Sequence, residues 1–372
     1  MRIIFLNQFI PPDPSPTARL LGEVSEELRK QGHEVDHLGN QADYRGKKTL
    51  LGSRALREVT ALLRLLFRGW FTRKCDRLVC LTSPPLVLLV GRTIAWMHDD
   101  AQLIHWPMDL YPDVAIAVGE IQEKSLLHRL TSSWMKSAYR DCNTIIALDE
   151  DMADRLRSYD IEPVVQPPWP PPLESNKKSK NTPDTRTEDS ATSRFTWLYS
   201  GNLGRAHEWF TLLNAQEILE RNNVPADLIF QGDGTEIEKA KVYATELNLK
   251  HCHFRPYTPP EDLLDTLCDA DCLIATQNPA TRGCLWPSKL ALASLLDRPI
   301  LWIGPDNGSV WRWLESEGHG CFSKGDANAV AHHIETLSKS PTPSSVSYEE
   351  VQDRVNEVRE KGIRTVADFI LS

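Results

Sequence analysis

The chain has 372 residues, 41% hydrophobic and 25% charged, and a net charge of −9 from 42 basic and 51 acidic side chains. That length and composition fit a globular protein of two domains, and the negative balance argues against a general nucleic-acid binder, which needs cations to meet phosphates. Eight cysteines occur with no CxxC pair and no Cys/His cluster at zinc spacing, so they read as reduced thiols in a cytoplasmic protein.

The opening "MRIIFLNQFIPPDP" has an apolar run too short for a signal peptide, and no later segment reaches the roughly 20 apolar residues of a spanning helix. Arg2–Leu6 is a short apolar strand, followed by the Pro-rich loop "NQFIPPDPSP". A helix is expected over Thr17–Lys30, with Leu20, Leu21, Val24 and Leu28 on one face, and "HEVDHL" reads as a second strand. This βαβ opening lacks the glycines of a dinucleotide binder. Leu51–Lys74 is a basic, apolar helical stretch. It reads either as a helix packed on its sheet or as a membrane-surface anchor, with arginines meeting anionic lipid. Strands recur at Arg77–Leu81, Gln102–Trp106 and Thr144–Ala147, with helical patterns between them.

A composition shift follows. Val164–Glu174 is a Pro-rich hinge, and Ser175–Ser193 is polar without apolar periodicity. Past it, strands (Phe195–Tyr199, Ala226–Gln231, His253–Arg255, Cys272–Thr276, Ile300–Ile303) alternate with helices (Trp209–Arg221, Glu236–Leu247, Pro260–Cys268, Ser288–Leu296). The pattern predicts two α/β Rossmann-like units in tandem: residues 1–165, a hinge and loop over 166–194, a second unit over 195–345, and a last helix over 346–372.

The second unit carries "TWLYSGNLGRAHEWF". A strand runs into a turn with Gly201, Asn202 and Gly204, then Arg205 and a helical pattern. Glycines allow close backbone approach, and a helix N-terminus attracts anions. The same turn also reads as plain structure. Gly232 and Gly234 follow the next strand and either shape a pocket or form an ordinary turn. Asp109, in "WPMDLYPD", falls past a strand at the C-terminal edge of the first sheet, where open α/β folds bind ligands. It could orient or deprotonate a hydroxyl, or simply cap a loop. His105 reads as packed. Thr17 and Arg19 open the first helix and could touch ligand or solvent.

The quoted opening, together with "DRLVCLTSPPLVLL", "HWPMDLYPDVAIAVGEI", "WLYSGNLGRAH", "LIFQGDGTEIEKAK", "LWPSKLALASLLDRPILWIG" and "GSVWRWLESEGHGCFSKGDANAVAHHI", resembles bacterial glycosyltransferases of family 4. It is most similar to the surface-polysaccharide branch with L-fucosaminyl-type transferases. The resemblance implies a GT-B fold, with two Rossmann-like domains facing a central cleft and the last helix crossing back to the first. It implies a retaining hexosyltransferase without cofactor or metal, since no Asp-x-Asp pair stands out as a metal motif. The donor would be a nucleotide-diphosphate sugar, of UDP type, and the acceptor a saccharide or polyprenyl-linked sugar. Localisation would be cytoplasmic, peripheral on the inner face of the membrane. Catalytic roles would fall to Asp109, Arg205 and Lys289. Donor contacts would come from Gly201, Asn202, Gly204, Gly232, Gly234 and Ser288, and Thr17 and Arg19 would lie on the acceptor side. Many members of the family carry two glutamates where this chain has Cys284 and Leu292, while Pro287-Ser288-Lys289 follows the branch's pattern. Two rival readings remain at this stage: a sugar-nucleotide 2-epimerase of the same fold, and a non-catalytic sugar-nucleotide-binding or assembly protein.

Overall fold

The structure is a computed structural model and describes residues 1–39, 54–99, 101–173, 194–340 and 346–372. The polar stretch Ser175–Ser193 lies outside the described residues. The chain divides into two compact units, one of Met1–Pro171, Gly283–Trp286 and Glu357–Ser372, the other of Pro172–Arg282 and Pro287–Asn356.

The first unit runs β1 (Arg2–Leu6), α1 (Pro16–Lys30), β2 (Glu34–Leu38), α2 (Arg54–Phe71), β3 (Arg77–Cys80), α3 (Val87–Met97), β4 (Gln102–His105), α4 (Asp113–Ala117), α5 (Leu126–Arg140), β5 (Thr144–Ala147), α6 (Glu150–Arg157) and β6 (Val164–Val165). All pairings are parallel, in the order β2-β1-β3-β4-β5-β6. Every residue of β3 is buried, as expected where helices cover both faces of a parallel sheet. Helix α1 starts one residue earlier than the periodicity suggests, because Pro16 sits at its first turn and the Ser15 hydroxyl accepts from the Ala18 N–H.

The second unit runs β7 (Phe195–Ser200), α7 (Phe210–Arg221), β8 (Ala226–Gln231), α8 (Ile237–Glu246), β9 (Cys252–Arg255), α9 (Leu263–Asp269), β10 (Cys272–Thr276), α10 (Leu290–Ala293), β11 (Ile300–Ile303), α11 (Ser309–Ser316), β12 (Gly320–Phe322) and α12 (Ala327–Ser338). Its sheet is also parallel, in the order β12-β11-β10-β7-β8-β9. Successive connections depart from β7 in one direction as far as β9, then return to β10 and depart in the other. The switch therefore falls between β7 and β10, and loops leaving the C-terminal ends of those two strands diverge to leave a crevice.

The last helix, α13 (Tyr348–Leu371), contributes to both units. Val366, Ala367 and Ile370 enter the core of the first. There Glu23 of α1 accepts from Arg359 at 3.0 Å, from Arg19 at 3.2 Å and from the Trp169 indole N–H at 2.6 Å. Arg19 and Arg359 also donate to the carbonyls of Trp169 and Pro170. The Pro-rich stretch after β6 is thereby pinned to α1 and α13, with Trp169 buried and stacked on Trp106.

Candidate active site

At the C-terminal end of β7 the chain turns through Gly201, and at the end of β8 it turns through Gly232. The two turns interlock by backbone: Gly201 N–H donates to Gln231, Leu203 N–H to Asp233 and Glu236 N–H to Leu203, at 2.7–3.0 Å. Gly232 has φ +138°, and a Cβ there would lie 2.3 Å from the Gly201 carbonyl oxygen. Gly201 has φ +129°, and a Cβ there would meet the Lys289 side chain at 2.7 Å. No larger residue keeps this geometry.

Lys289 comes to this turn from the start of α10. Its ammonium donates to the Asn202 carbonyl at 3.2 Å, lies 4.5 Å from the centroid of the Tyr199 ring and is 3.5 Å from His207 Nε2. His207 Nδ1 is 2.8 Å from the Thr276 carbonyl at the end of β10, so Nδ1 carries the proton and Nε2 turns its lone pair to Lys289. Burial, helped by the charge of Lys289, holds the His207 imidazole down to about 3. Burial also lowers the Lys289 ammonium to about 7. Among the described residues no carboxylate pairs with Lys289. A carbonyl, an imidazole lone pair and a ring face are all neutral, so the half-buried cation is solvated but not neutralised.

The sequence had suggested the N-terminus of the following helix as an anion cradle. The structure corrects this. Helix α7 begins only at Phe210, and its first turn is occupied from within. The buried Glu208 carboxylate accepts from the Thr211 N–H and hydroxyl, both at 3.0 Å, and pairs with Lys324 at 3.3 Å. One of the free N–H donors of that helix start, Thr211, is thus already taken by a carboxylate, whose negative charge opposes an anion there. The extended Ser288–Leu296 helix is likewise a single turn, Leu290–Ala293.

The structure brings Gly201, Asn202, Gly204, Gly232, Gly234 and Lys289 together, with Arg205 and Ser288 exposed on the same loops. His207, Tyr199 and Thr276 join them without having been singled out in the sequence. In the first unit, Asp109 is half-buried after β4. The Thr82 hydroxyl accepts its backbone N–H at 3.3 Å, and an antiparallel bridge ties it to Leu285. Burial raises its carboxyl to about 6. His105 is packed: Nδ1 donates to the Cys80 carbonyl, the ring stacks on Tyr139, and burial lowers its pKa to about 4. Arg19 is engaged by Glu23 and two carbonyls, while Thr17 is half-buried on α1. Cys284 and Leu292 are both buried. The chain holds two Asp-x-Asp triplets, Asp149–Asp151 and Asp269–Asp271, and one aspartate of each has a structural partner. Asp149 caps α6 through the Met152 N–H, and Asp271 accepts from the Thr196 N–H and hydroxyl.

No protein-family model and no curated protein matches the chain. Solved structures do. The sucrose-phosphate synthase tll1590 from Thermosynechococcus elongatus superposes with a TM-score of 0.68 at 13% identity, over 99% of this chain and 98% of its own. The Anabaena protein Alr3699/HepE, solved with UDP and glucose, gives 0.64 at 14% identity over 99% and 98%. The lipopolysaccharide outer core galactosyltransferase WaaB gives 0.61 at 11% identity over 99% of each chain. The fold is GT-B. At these identities the likeness is one of fold and carries no residue role, so the GT-B site must be argued from this chain's own side chains.

Proposed function

We propose that the chain is a GT-B glycosyltransferase that moves a sugar from a nucleotide-diphosphate sugar, of UDP type, to a saccharide or lipid-linked acceptor in surface-polysaccharide synthesis. The observation that carries the reading is Lys289: a half-buried ammonium with no anionic partner among the described residues, at the switch point between β7 and β10. Fold likeness to chains titled as glycosyltransferases, and to one solved with UDP and glucose, supports it.

The chemistry follows from charge. Breaking the bond to the sugar leaves a nucleoside diphosphate, and negative charge grows on the β-phosphate. A positioned ammonium and the exposed Arg205 would stabilise that charge, with Asn202, Ser288 and the Gly201, Gly204, Gly232 and Gly234 backbone shaping the donor pocket. His207 would act through Lys289, holding the ammonium in place with its Nε2 lone pair. Residues 195–345 would bind donor and residues 1–165 acceptor. Asp109, ionised at neutral pH with a pKa of about 6, would orient the acceptor hydroxyl or take its proton, and Thr17 would lie on the acceptor side. Arg19, already held by Glu23, would reach an acceptor only by exchanging that partner. The resemblance to family 4 adds retention of configuration and independence from metal. Buried Cys284 and Leu292 offer no carboxylate for a ribose, so affinity would rest on the diphosphate.

The test is release of nucleoside diphosphate from a panel of UDP-, GDP- and dTDP-sugars, with and without a lipid-linked acceptor and with and without EDTA. Acceptor-dependent release that survives EDTA, and that Lys289→Ala and Arg205→Ala each reduce by 10²–10³-fold, is the expected result. Binding without release would instead point to a non-catalytic sugar-nucleotide protein. Interconversion of the free sugar nucleotide would point to a 2-epimerase.

A further inference from the structure

Helices α2, α3 and α5 lie side by side in the first unit, with α3 in the middle. The inner side of α2 is small and apolar. Ala61 and Leu65 are buried, and Gly69 lies so close to Ile94 of α3 that a Cβ would meet it at 2.3 Å. Packing therefore accounts for only one side of this helix.

Its outer side is also apolar. Leu56, Val59, Leu63, Phe67 and Trp70 recur every three or four residues and are exposed, Phe67 by 66% and Trp70 by 65%. The neighbouring helices continue the pattern. Trp96 at the end of α3 is 72% exposed, and on α5 Leu126 is 73% and Trp134 51% exposed. Between α3 and α5 the surface opens into a groove of about 830 Å³ with Trp96 and Trp134 among its lining residues. A monomeric protein in water rarely shows so many large apolar side chains on adjoining elements.

The charge of these helices runs opposite to that of the chain. Across α2, α3 and α5 there are eight lysines and arginines and a single acid, Glu58, while the protein as a whole carries −9; two of the eight are paired with acids outside these helices, Arg92 with Asp141 and Arg140 with Asp160. A second copy docking by the same face would bring two net-basic surfaces together, with Arg57, Arg64 and Arg129, unpaired among the described residues, facing their own copies, which a two-fold interface cannot relieve. An anionic surface that also dissolves apolar side chains relieves both features at once. Tryptophan on each of the three helices suits the headgroup region, where an apolar ring with one N–H donor is best solvated. No described helix is long and apolar enough to cross a bilayer, so contact would be with its surface.

We propose that the outward faces of α2, α3 and α5 together seat the protein on an anionic lipid bilayer. The three-helix face extends the anchor suggested by the sequence of α2 alone, and it does not depend on the donor-site reading. The bilayer interface takes the Phe67, Trp70, Trp96 and Trp134 rings, and basic side chains such as Arg57, Arg64 and Arg129 hold the lipid phosphates.

The experiment is co-sedimentation of the full chain with vesicles of phosphatidylcholine alone and of an equimolar mixture with phosphatidylglycerol, at low and physiological salt. Wild type should pellet with the mixed vesicles and partition at least tenfold less onto the neutral ones. Trp96→Ser/Trp134→Ser should cut partition onto mixed vesicles at least tenfold, and Arg57→Glu/Arg64→Glu/Arg129→Glu should do the same. Melting temperature and nucleoside-diphosphate binding should be unchanged in both, which keeps failure here distinct from failure of the donor site. Wild type remaining in the supernatant at low salt overturns the proposal. So does undiminished binding of the tryptophan variant, which would return the contact to α2 or move it elsewhere. A wild-type dimer that either variant dissociates overturns it in favour of a second copy as the occupant.

Discussion

If Lys289 holds the donor diphosphate as proposed, affinity depends on pH in a direction that follows from its burial. Its ammonium is lowered to about 7 by burial, against 10.5 for a free lysine. A bound diphosphate two or three ångströms away would restore the charge, so ligand binds the protonated protein. Apparent affinity then follows the protonated fraction, which is about one half at pH 7 and about one hundredth at pH 9, a loss of about fiftyfold. The terminal phosphate of the ligand, with a pKa of about 6, is already ionised throughout that window and cannot mask the effect. Titration calorimetry with UDP at pH 7, 8 and 9 reads it directly. Lys289→Arg, which keeps its charge, should bind with little change over the same range. Stability carries the matching signature. Because the folded value lies below the unfolded one, the unfolded chain holds more protons between about pH 7 and 10.5, and stability rises with pH across that interval. Lys289→Met should accordingly raise the free energy of unfolding most at or below pH 7, by on the order of 1–2 kcal/mol for a partly exposed site, and hardly at all near pH 10, as read from denaturant midpoints. A flat UDP affinity in wild type between pH 7 and 9, or an equal slope in Lys289→Arg, would refute the reasoning.

Three further outcomes follow from the same structure. With its carboxyl raised to about 6, Asp109 loses its proton as pH climbs through that value, so turnover should rise on this limb; Asp109→Asn should remove the limb and lower kcat about 100-fold or more. Gly232→Ala should cost on the order of 1–3 kcal/mol in denaturant unfolding and weaken UDP binding, because its Cβ meets the Gly201 carbonyl; unchanged stability would mean the two turns do not interlock in solution. Glu23→Gln removes the negative partner of two largely buried arginines, and unfolding of the first unit should become easier by roughly 2–4 kcal/mol, read from the shift of the denaturant midpoint.

The two-sheet α/β architecture was legible because parallel strands covered on both faces are plain apolar runs, such as Leu78-Val79-Cys80 and Ile300–Ile303. Gly201 and Gly232 were legible for a related reason: a strand that ends in glycine announces a turn. The surroundings of Lys289 were not. His207, Thr276 and Lys289 are far apart in sequence and meet only because β10 is laid beside β7, a pairing that no local pattern encodes. The start of α7 at Phe210 lies one residue from the expected Trp209; what no local pattern showed was the Glu208 carboxylate folding back onto Thr211. On α2, periodicity indicated an apolar face correctly, yet the helix has two, and sequence alone cannot say which one the sheet receives.

The helix that returns to the first unit also has a temporal consequence. Ribosomes deliver a chain from its N-terminus, and most domains fold as soon as their last residue has emerged. Here Val366, Ala367 and Ile370 complete the core around β1 and β3, so that core is still short of its closing segment while the second unit is already whole. The nascent first unit must wait through the synthesis of nearly two hundred intervening residues with apolar side chains uncovered, a period in which a holdase has something to bind. Truncation ahead of Val366 would then harm the first unit and spare the second, leaving uncovered a core built mainly from residues that are made long before it.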